Sequence, residues 1–249
     1  MRTVCWFSAG AASAVATKLV LGDPYTPDVV VAYTDTGSEH PDNARFLDEC
    51  EAWFGIPIVR LRSTEYESTW EVFARTRFLV SPYGARCTTE LKKKVRYAFE
   101  RADDVQVFGY TVEETNRADR FRTQNPGVDL RTPLIERGLT KSDCLAMIDR
   151  AGIELPAMYQ LGYRNNNCVG CVKGGMGYWN KIRRDFPDVF ERMAAQEREI
   201  NVAILRDRGV PVFLDELDPD RGDHINEPDF ECSIMCHIAE TDTAWEEVK

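Results

Sequence analysis

Apolar residues along the chain come in short blocks separated by longer stretches of helical period. Thr3-Val4-Cys5-Trp6-Phe7 is the first block, and the run from Asp28 to Tyr33 holds three consecutive valines. Ile56-Pro57-Ile58-Val59-Arg60-Leu61 and Val105-Gln106-Val107-Phe108-Gly109 are two more, and the run from Asp129 to Leu134, though not apolar throughout, is read as a fifth strand. Blocks this short, rich in β-branched residues and bounded by turn formers, predict buried strands. The stretches between them read as helices. Residues 11–21 are Ala-rich with Val15, Leu19 and Val20, and Pro41 to Trp53 sets Phe46, Cys50 and Trp53 at helical spacing. Residues 66–78 and 88–100 also have helical character. Strands alternating with helices predict an α/β fold: a doubly wound, mostly parallel five-stranded sheet with helices on both faces and right-handed crossovers.

The pattern changes after residue 138. Thr140 is placed to cap a helix carrying Cys144, Met147 and Ile148. Asn165-Asn166-Asn167-Cys168-Val169-Gly170-Cys171 reads as a polar turn, and residues 187–206 as a long charge-laced helix. The expected organisation is an α/β domain over residues 1–138. A helical, cysteine-containing extension over 139–249, with an acidic irregular tail, would pack on it.

Composition narrows the classes. The 249 residues are 43% hydrophobic and 29% charged, which is globular and not disordered. The net charge of −10 is not spread evenly, because residues 214–249 hold 12 acidic and 2 basic residues. The body is therefore neutral, without the broad basic face of a general nucleic-acid binder. No uncharged run reaches the ~18–20 residues that span a bilayer. The start of the chain also lacks the longer apolar region of a signal peptide. A soluble, cytoplasmic protein is expected.

Candidate chemistry sits where strands end. Ser8-Ala9-Gly10-Ala11-Ala12-Ser13 joins the first strand to the first helix. Small residues allow close backbone approach, and a helix N-terminus offers free N–H groups and partial positive charge to an anion. Ser8, Gly10, Ala11 and Ser13 are the candidate contacts. Thr34-Asp35-Thr36-Gly37 follows the second strand at the same edge. Asp35 and Thr36 can bond a ribose or base, and Gly37 can turn the chain. Gly109 closes the fourth strand at this edge, and Arg117 beyond it is the favoured cation of the trio with Arg120 and Arg122. Lys92 shares a predicted helix face with Arg96, which either meets a phosphate or sulfate or is a solvated face.

Of eight cysteines, Cys5, Cys50 and Cys144 occupy apolar positions and read as core. Cys168 and Cys171 form a CxxC, with Cys87 upstream among Arg86, Lys92, Lys93 and Lys94, and Cys232 and Cys236 downstream beside His237. Three or four such thiolates suit an iron–sulfur cluster or a tetrahedral zinc.

Together these motifs resemble the phosphoadenosine-phosphosulfate (PAPS) reductase family, within the adenine nucleotide α-hydrolases and ATP pyrophosphatases. Phe7 to Ser13 is similar to the pyrophosphate loop, and Thr34-Asp35-Thr36-Gly37 with Pro41 and Phe46 to the stretch after the second strand. Cys87 with Leu91-Lys92 resembles the family's first cysteine segment. Leu155-Pro156, Tyr159, Gly162-Tyr163 and Cys168-x-x-Cys171 resemble the second. The resemblance implies an adenine nucleotide (PAPS, APS or ATP) and, in cysteine-bearing members, a [4Fe-4S] cluster held here by Cys87, Cys168 and Cys171 with Cys232 or Cys236. It implies a catalytic cysteine near the C-terminus, Cys232 or Cys236, released by a thioredoxin-like reductant. The chain departs from the pattern in three places. Ala12 stands where ATP-cleaving relatives carry Asp, Arg86-Cys87 where cluster-bearing reductases have adjacent cysteines, and Glu231-Cys232-Ser233-Ile234-Met235-Cys236-His237 only partly matches the reductases' final signature.

Three functions are open at this stage. The first is a sulfonucleotide reductase. The second is an Fe–S-dependent, ATP-consuming sulfur transferase acting on a base or small molecule, against which Ala12 counts. The third is a nucleotide-binding module with a structural metal. The helix at 187–206 either serves a homodimer or caps the cluster.

Overall fold

The computed structural model describes residues 1–81 and 84–227. Its strands in chain order are β1 (Thr3–Trp6), β2 (Val29–Asp35), β3 (Ile58–Arg62), β4 (Val80–Ser81), β5 (Gly84–Ala85), β6 (Val105–Val107), β7 (Asp129–Arg131), β8 (Leu205–Asp207) and β9 (Val210–Val212). Its α-helices are α1 (Ala11–Leu21), α2 (Asn43–Phe54), α3 (Thr69–Thr76), α4 (Arg86–Thr88), α5 (Lys94–Phe99), α6 (Thr115–Gln124), α7 (Pro133–Glu136), α8 (Lys141–Arg150), α9 (Ala157–Gln160), α10 (Met176–Asp185) and α11 (Pro187–Ile200). Contacts divide the chain into two compact units. Unit 1 comprises residues 1–35, 40–62 and 95–166, and unit 2 comprises 36–39, 63–94 and Asn167 onward.

Unit 1 is the α/β layer. Its five strands pair in the order β3-β2-β1-β6-β7, every pair parallel. Register follows the apolar blocks, with Cys5 opposite both Val31 and Val107, and Val31 opposite Ile58. All residues of β1 and β6 are buried, as central strands covered on both faces require. The edge strand β3 is largely exposed, and the edge strand β7 is exposed at Asp129 and half-buried at Leu130 and Arg131. The core joins Phe7, Val15, Val31, Phe46, Leu134 and Ile148 with Cys5, Cys50 and Cys144. Burial pushes all three thiols up to about 12, as inert core cysteines. The α8 helix lies against α1 through Cys144 and Ile148. Residues 139–166 therefore fall in unit 1, while 36–39 and 63–94 fall in unit 2. The compact units do not follow a cut at residue 138.

Unit 2 holds α3, α4, α10 and α11, the β4–β5 pair and the antiparallel β8–β9 hairpin. The helix predicted over 187–206 stops at Ile200, where Asn201 adopts a left-handed conformation (φ 61°), and the hairpin follows. Its apolar side, Phe190, Met193 and Ile200, is buried, and it contacts α10 and α3. The helix predicted over 88–100 is broken. After α4 the chain makes a π-helical turn at Thr89–Lys93 and resumes as α5. No helix among the described residues is long and apolar enough to cross a membrane.

Candidate functional site

Unit 1 places a cluster of loops where its central strands end. The chain leaves β1 for β2 and β3, then returns to the other side of β1 at β6. Such a reversal of strand order in a parallel sheet opens a crevice beyond the carboxyl ends of the two strands, the usual ligand position in this architecture. The segment after β1 and the segment after β6 meet closely there. A Cβ added to Gly109 would lie 2.7 Å from both the nitrogen and the Cα of Ser13. Only glycine fits.

The loop after β1 has a fixed internal shape. Ala9 sits at φ 55°, a left-handed conformation that costs an L-residue about 1–2 kcal/mol. Several hydrogen bonds hold it. Asn166 Nδ2 donates to the Ala9 carbonyl at 2.7 Å. The Ser13 hydroxyl accepts from the Ser8 N–H and donates to the Gly10 carbonyl, both at 3.0 Å. Ser13 spends its proton on Gly10, so in the 3.0 Å hydroxyl pair Ser8 is the donor. Gly10 is the extended N-cap of α1 and brings no capping side chain. The first turn, with Ala11 and Ser13, contains no acid. The leading amides of α1 and the positive end of its dipole are left without an internal counter-charge. Ser8 is exposed, and Gly10 and Ala12 are half-buried, so solvent reaches this surface.

The other predicted contacts in unit 1 are engaged with protein groups. Asp35 ends β2 and accepts from Arg62 Nη2 at 2.7 Å across the β2–β3 register. Arg117 on α6 pairs with Glu114 at 2.6 Å and lies over the Tyr110 ring, 5.3 Å from its centroid.

Thr36 and Gly37 belong to unit 2, where they meet the cysteine segment. The Thr36 hydroxyl is 3.1 Å from Cys168 Sγ, and the Val169 N–H donates to the Ser38 carbonyl at 2.9 Å. Ser38 Oγ accepts from the Thr69 N–H at 3.1 Å and from its hydroxyl at 2.8 Å, tying the segment to the start of α3. Gly37 (φ 63°) passes so close to the Glu67 carbonyl that a Cβ would collide with it.

Cys87, Cys168 and Cys171 are all buried. Tyr178 organises the CxxC turn. Its hydroxyl accepts from the N–H groups of Gly170 (3.1 Å) and Cys171 (2.9 Å) and donates to the Cys168 carbonyl (3.4 Å). Burial first, and then the neighbouring cysteine sulfurs, push that hydroxyl well above the usual tyrosine range. Lys92 is buried in the π-helical turn, which rules out the solvated helix face. Next to it Glu90 is buried between Arg86 (2.8 Å) and Lys94 (2.6 Å).

A [4Fe-4S] cluster or a structural zinc takes four ligands. Among the described residues no group of three or more His, Cys, Asp or Glu side chains is arranged to hold a metal. The described residues thus do not make up either site. Cys232 and Cys236, named as nucleophile and ligand candidates, lie outside the described residues.

Sequence reasoning missed Asn43, Asn166 and Tyr178. Asn166 was legible only as part of a polar turn, and Asn43 as a polar residue opening a helix, so nothing in the sequence signalled that the two pair. Tyr178 had a trace: it ends the run Lys173-Gly174-Gly175-Met176-Gly177. A Cβ on Gly174 would overlap the Tyr178 ring.

No family model matches the chain. An uncharacterized protein of Methanocaldococcus jannaschii is 28% identical over 207 residues, covering 78% of this chain and 41% of that protein. The chain thus spans less than half the length of this curated relative. Among solved structures, the crystal structure of PAPS reductase from Candida auris in complex with phosphate aligns at a TM-score of 0.48 and 14% identity. That alignment covers 68% of this chain and 81% of that one.

Proposed function

We propose that the chain binds an adenine nucleotide through its phosphates at the Ser8–Ser13 loop and is an enzyme of sulfur chemistry acting on a sulfonucleotide. One observation carries the nucleotide part of the reading. The small-residue loop, its uncapped helix N-terminus and the glycine that must be glycine, Gly109, coincide at the strand-order reversal of a parallel sheet. Phosphate oxygens accept from the leading amides of α1, and the absence of an acid in that turn keeps the site attractive to an anion. Ala12 leaves no carboxylate in the loop for Mg–ATP cleavage, which favours a sulfonucleotide as substrate over ATP. In the reductase reading, a thiolate of Cys232 or Cys236 attacks the sulfate sulfur. A sulfur–sulfur bond forms, the bond from sulfur to the phosphate oxygen breaks, and the nucleoside phosphate leaves. A dithiol reductant of thioredoxin type then exchanges onto the cysteine and releases sulfite.

The test combines calorimetric titration of the anaerobically purified chain with ATP, APS and PAPS, a sulfite-release assay with a dithiol, and metal analysis. Binding of APS or PAPS with release of sulfite is the expected result. Binding of ATP with sulfur transfer and no sulfite moves the reading to the transferase. Nucleotide binding without turnover moves it to a binding module, and absence of any nucleotide binding overturns it. About four irons and four sulfides per chain would establish the cluster, and one zinc without iron a structural metal.

A further inference from the structure

The loop after β1 owes its shape to two residues far from it in sequence. Asn166 is buried, and its Nδ2 donates at 2.7 Å both to the Ala9 carbonyl and to Asn43 Oδ1. Asn43, in the first turn of α2, is also buried. Asn166 Oδ1 and Asn43 Nδ2 have no hydrogen-bond partner among the described residues. Buried amide groups are normally paired, and leaving them unpaired is costly. The pair is thus oriented to serve the Ala9 carbonyl at the expense of its own remaining groups.

The consequence lies in the Ala9–Gly10 peptide. That bond is trans and planar, so its carbonyl and its N–H point in opposite directions. With the carbonyl drawn to Asn166, the Gly10 N–H is turned the other way. It is thereby added to the leading amides of α1 rather than buried. The same bond supports Ala9 in its left-handed conformation, which the residue would not adopt unaided.

We propose that Asn166, braced by Asn43, is a positioning residue that fixes the Ala9–Gly10 peptide so that the Gly10 N–H serves as a donor to the phosphate chain of the bound nucleotide. This rests on the nucleotide reading above. It predicts an effect on the phosphates and none on the nucleoside, which a general loss of structure would not produce.

The experiment is calorimetric titration of the full chain and its Asn166→Ala variant with ATP and with adenosine. The unsubstituted chain is expected to bind ATP at least about tenfold more tightly than adenosine. Asn166→Ala should lose about tenfold for ATP, equivalent to about 1.4 kcal/mol, with adenosine changed less than twofold. If the variant keeps its preference for ATP, or loses both ligands equally, the positioning role is overturned. If the unsubstituted chain shows no preference for ATP over adenosine, the phosphate reading of the loop fails, and this inference with it. Should Asn166→Ala not fold, Asn43→Ala decides. It removes the brace and leaves the Ala9 bond, so a severalfold loss confined to ATP supports the role and an unchanged ratio overturns it.

Discussion

The two units reach order by different means. Unit 1 is held by apolar burial: a parallel sheet whose central strands are wholly buried, with Phe7, Phe46, Leu134 and three inert cysteines in one core. Its special features are a left-handed alanine, a glycine in close contact and two buried polar pairs, Asn166 with Asn43 and Arg2 with Asp104. Unit 2 ties several buried polar and ionisable groups to specific partners around its cysteine turn and its hairpin. Glu90 is set between Arg86 and Lys94, Tyr178 takes up the amides of the CxxC turn, and Glu197 receives two backbone N–H groups. Apolar packing tolerates adjustment, whereas a buried polar group loses its whole compensation when one partner moves. The segments of unit 2 that rest on such contacts, around Gly37 and the CxxC turn, should therefore be less forgiving of substitution than the apolar core of unit 1.

The strongest break in that comparison is Gly37→Ala. The new Cβ is forced into a left-handed conformation and against the Glu67 carbonyl, which is backbone and cannot swing aside. Conformational cost and overpacking together come to about 3 kcal/mol. The displaced segment carries Thr36 and Ser38, the partners of Cys168 and Val169. Hydrogen exchange should show protection lost in peptides spanning 36–39, 63–76 and 167–182. Unchanged exchange there would mean that the segment does not hold the cysteine turn.

What the sequence revealed follows the same division. Four of the five parallel strands were legible as apolar blocks with turn residues after them, while β7 has Leu130 alone between two charged residues; Cys5, Cys50 and Cys144 were legible because each falls on an apolar position. Strand ends were less clear. The block from Asp129 to Leu134 pairs only to Arg131, since Pro133 starts α7. The Ser8–Ser13 loop was legible as small residues between strand and helix, but not the bond from Asn166 that shapes it. Thr36 and Gly37 were read as ligand contacts because they follow a strand. A linear reading cannot show that Thr36 faces Cys168, 132 positions away. The π-helical turn at Thr89–Lys93 was hidden because Leu91 and its lysines fit an ordinary helix equally well.

Glu197 sharpens the contrast through pH. It is fully buried on α11, and its carboxylate accepts at 2.6 Å from the N–H groups of Ile204 and Leu214, fixing the segment that contains the β8–β9 hairpin. Burial pushes its carboxyl up from 4.5 to about 7. The two N–H groups oppose the shift, Asp215 adds to it and Arg198 opposes it. The folded form therefore holds the proton more tightly than the unfolded chain. The stability linked to this group is full below about 4.5 and is lost as pH rises through about 7. Glu197→Gln should abolish that pH dependence. It also turns an amide NH2 toward a backbone N–H, at a cost of about 1–3 kcal/mol. Denaturant midpoints from pH 4.5 to 8 read both effects. A Gln variant that keeps the slope would assign the titration to another group.

The mildest expected effect falls in unit 1, although the residue lies inside the candidate loop. Ser13→Ala removes the acceptor of the Ser8 N–H and the donor to the Gly10 carbonyl. The Ala9 carbonyl keeps its bond from Asn166, and the Gly109 contact is with Ser13 backbone atoms, which alanine preserves. The Ser8 N–H borders an exposed residue and regains a water partner. Stability should fall by only about 1 kcal/mol. ATP affinity should fall severalfold at most, less than for Asn166→Ala, because the Gly10 N–H stays oriented. A Ser13→Ala loss equal to or larger than that of Asn166→Ala would mean that the hydroxyl itself contacts the phosphates and that the loop's shape is not what confers affinity.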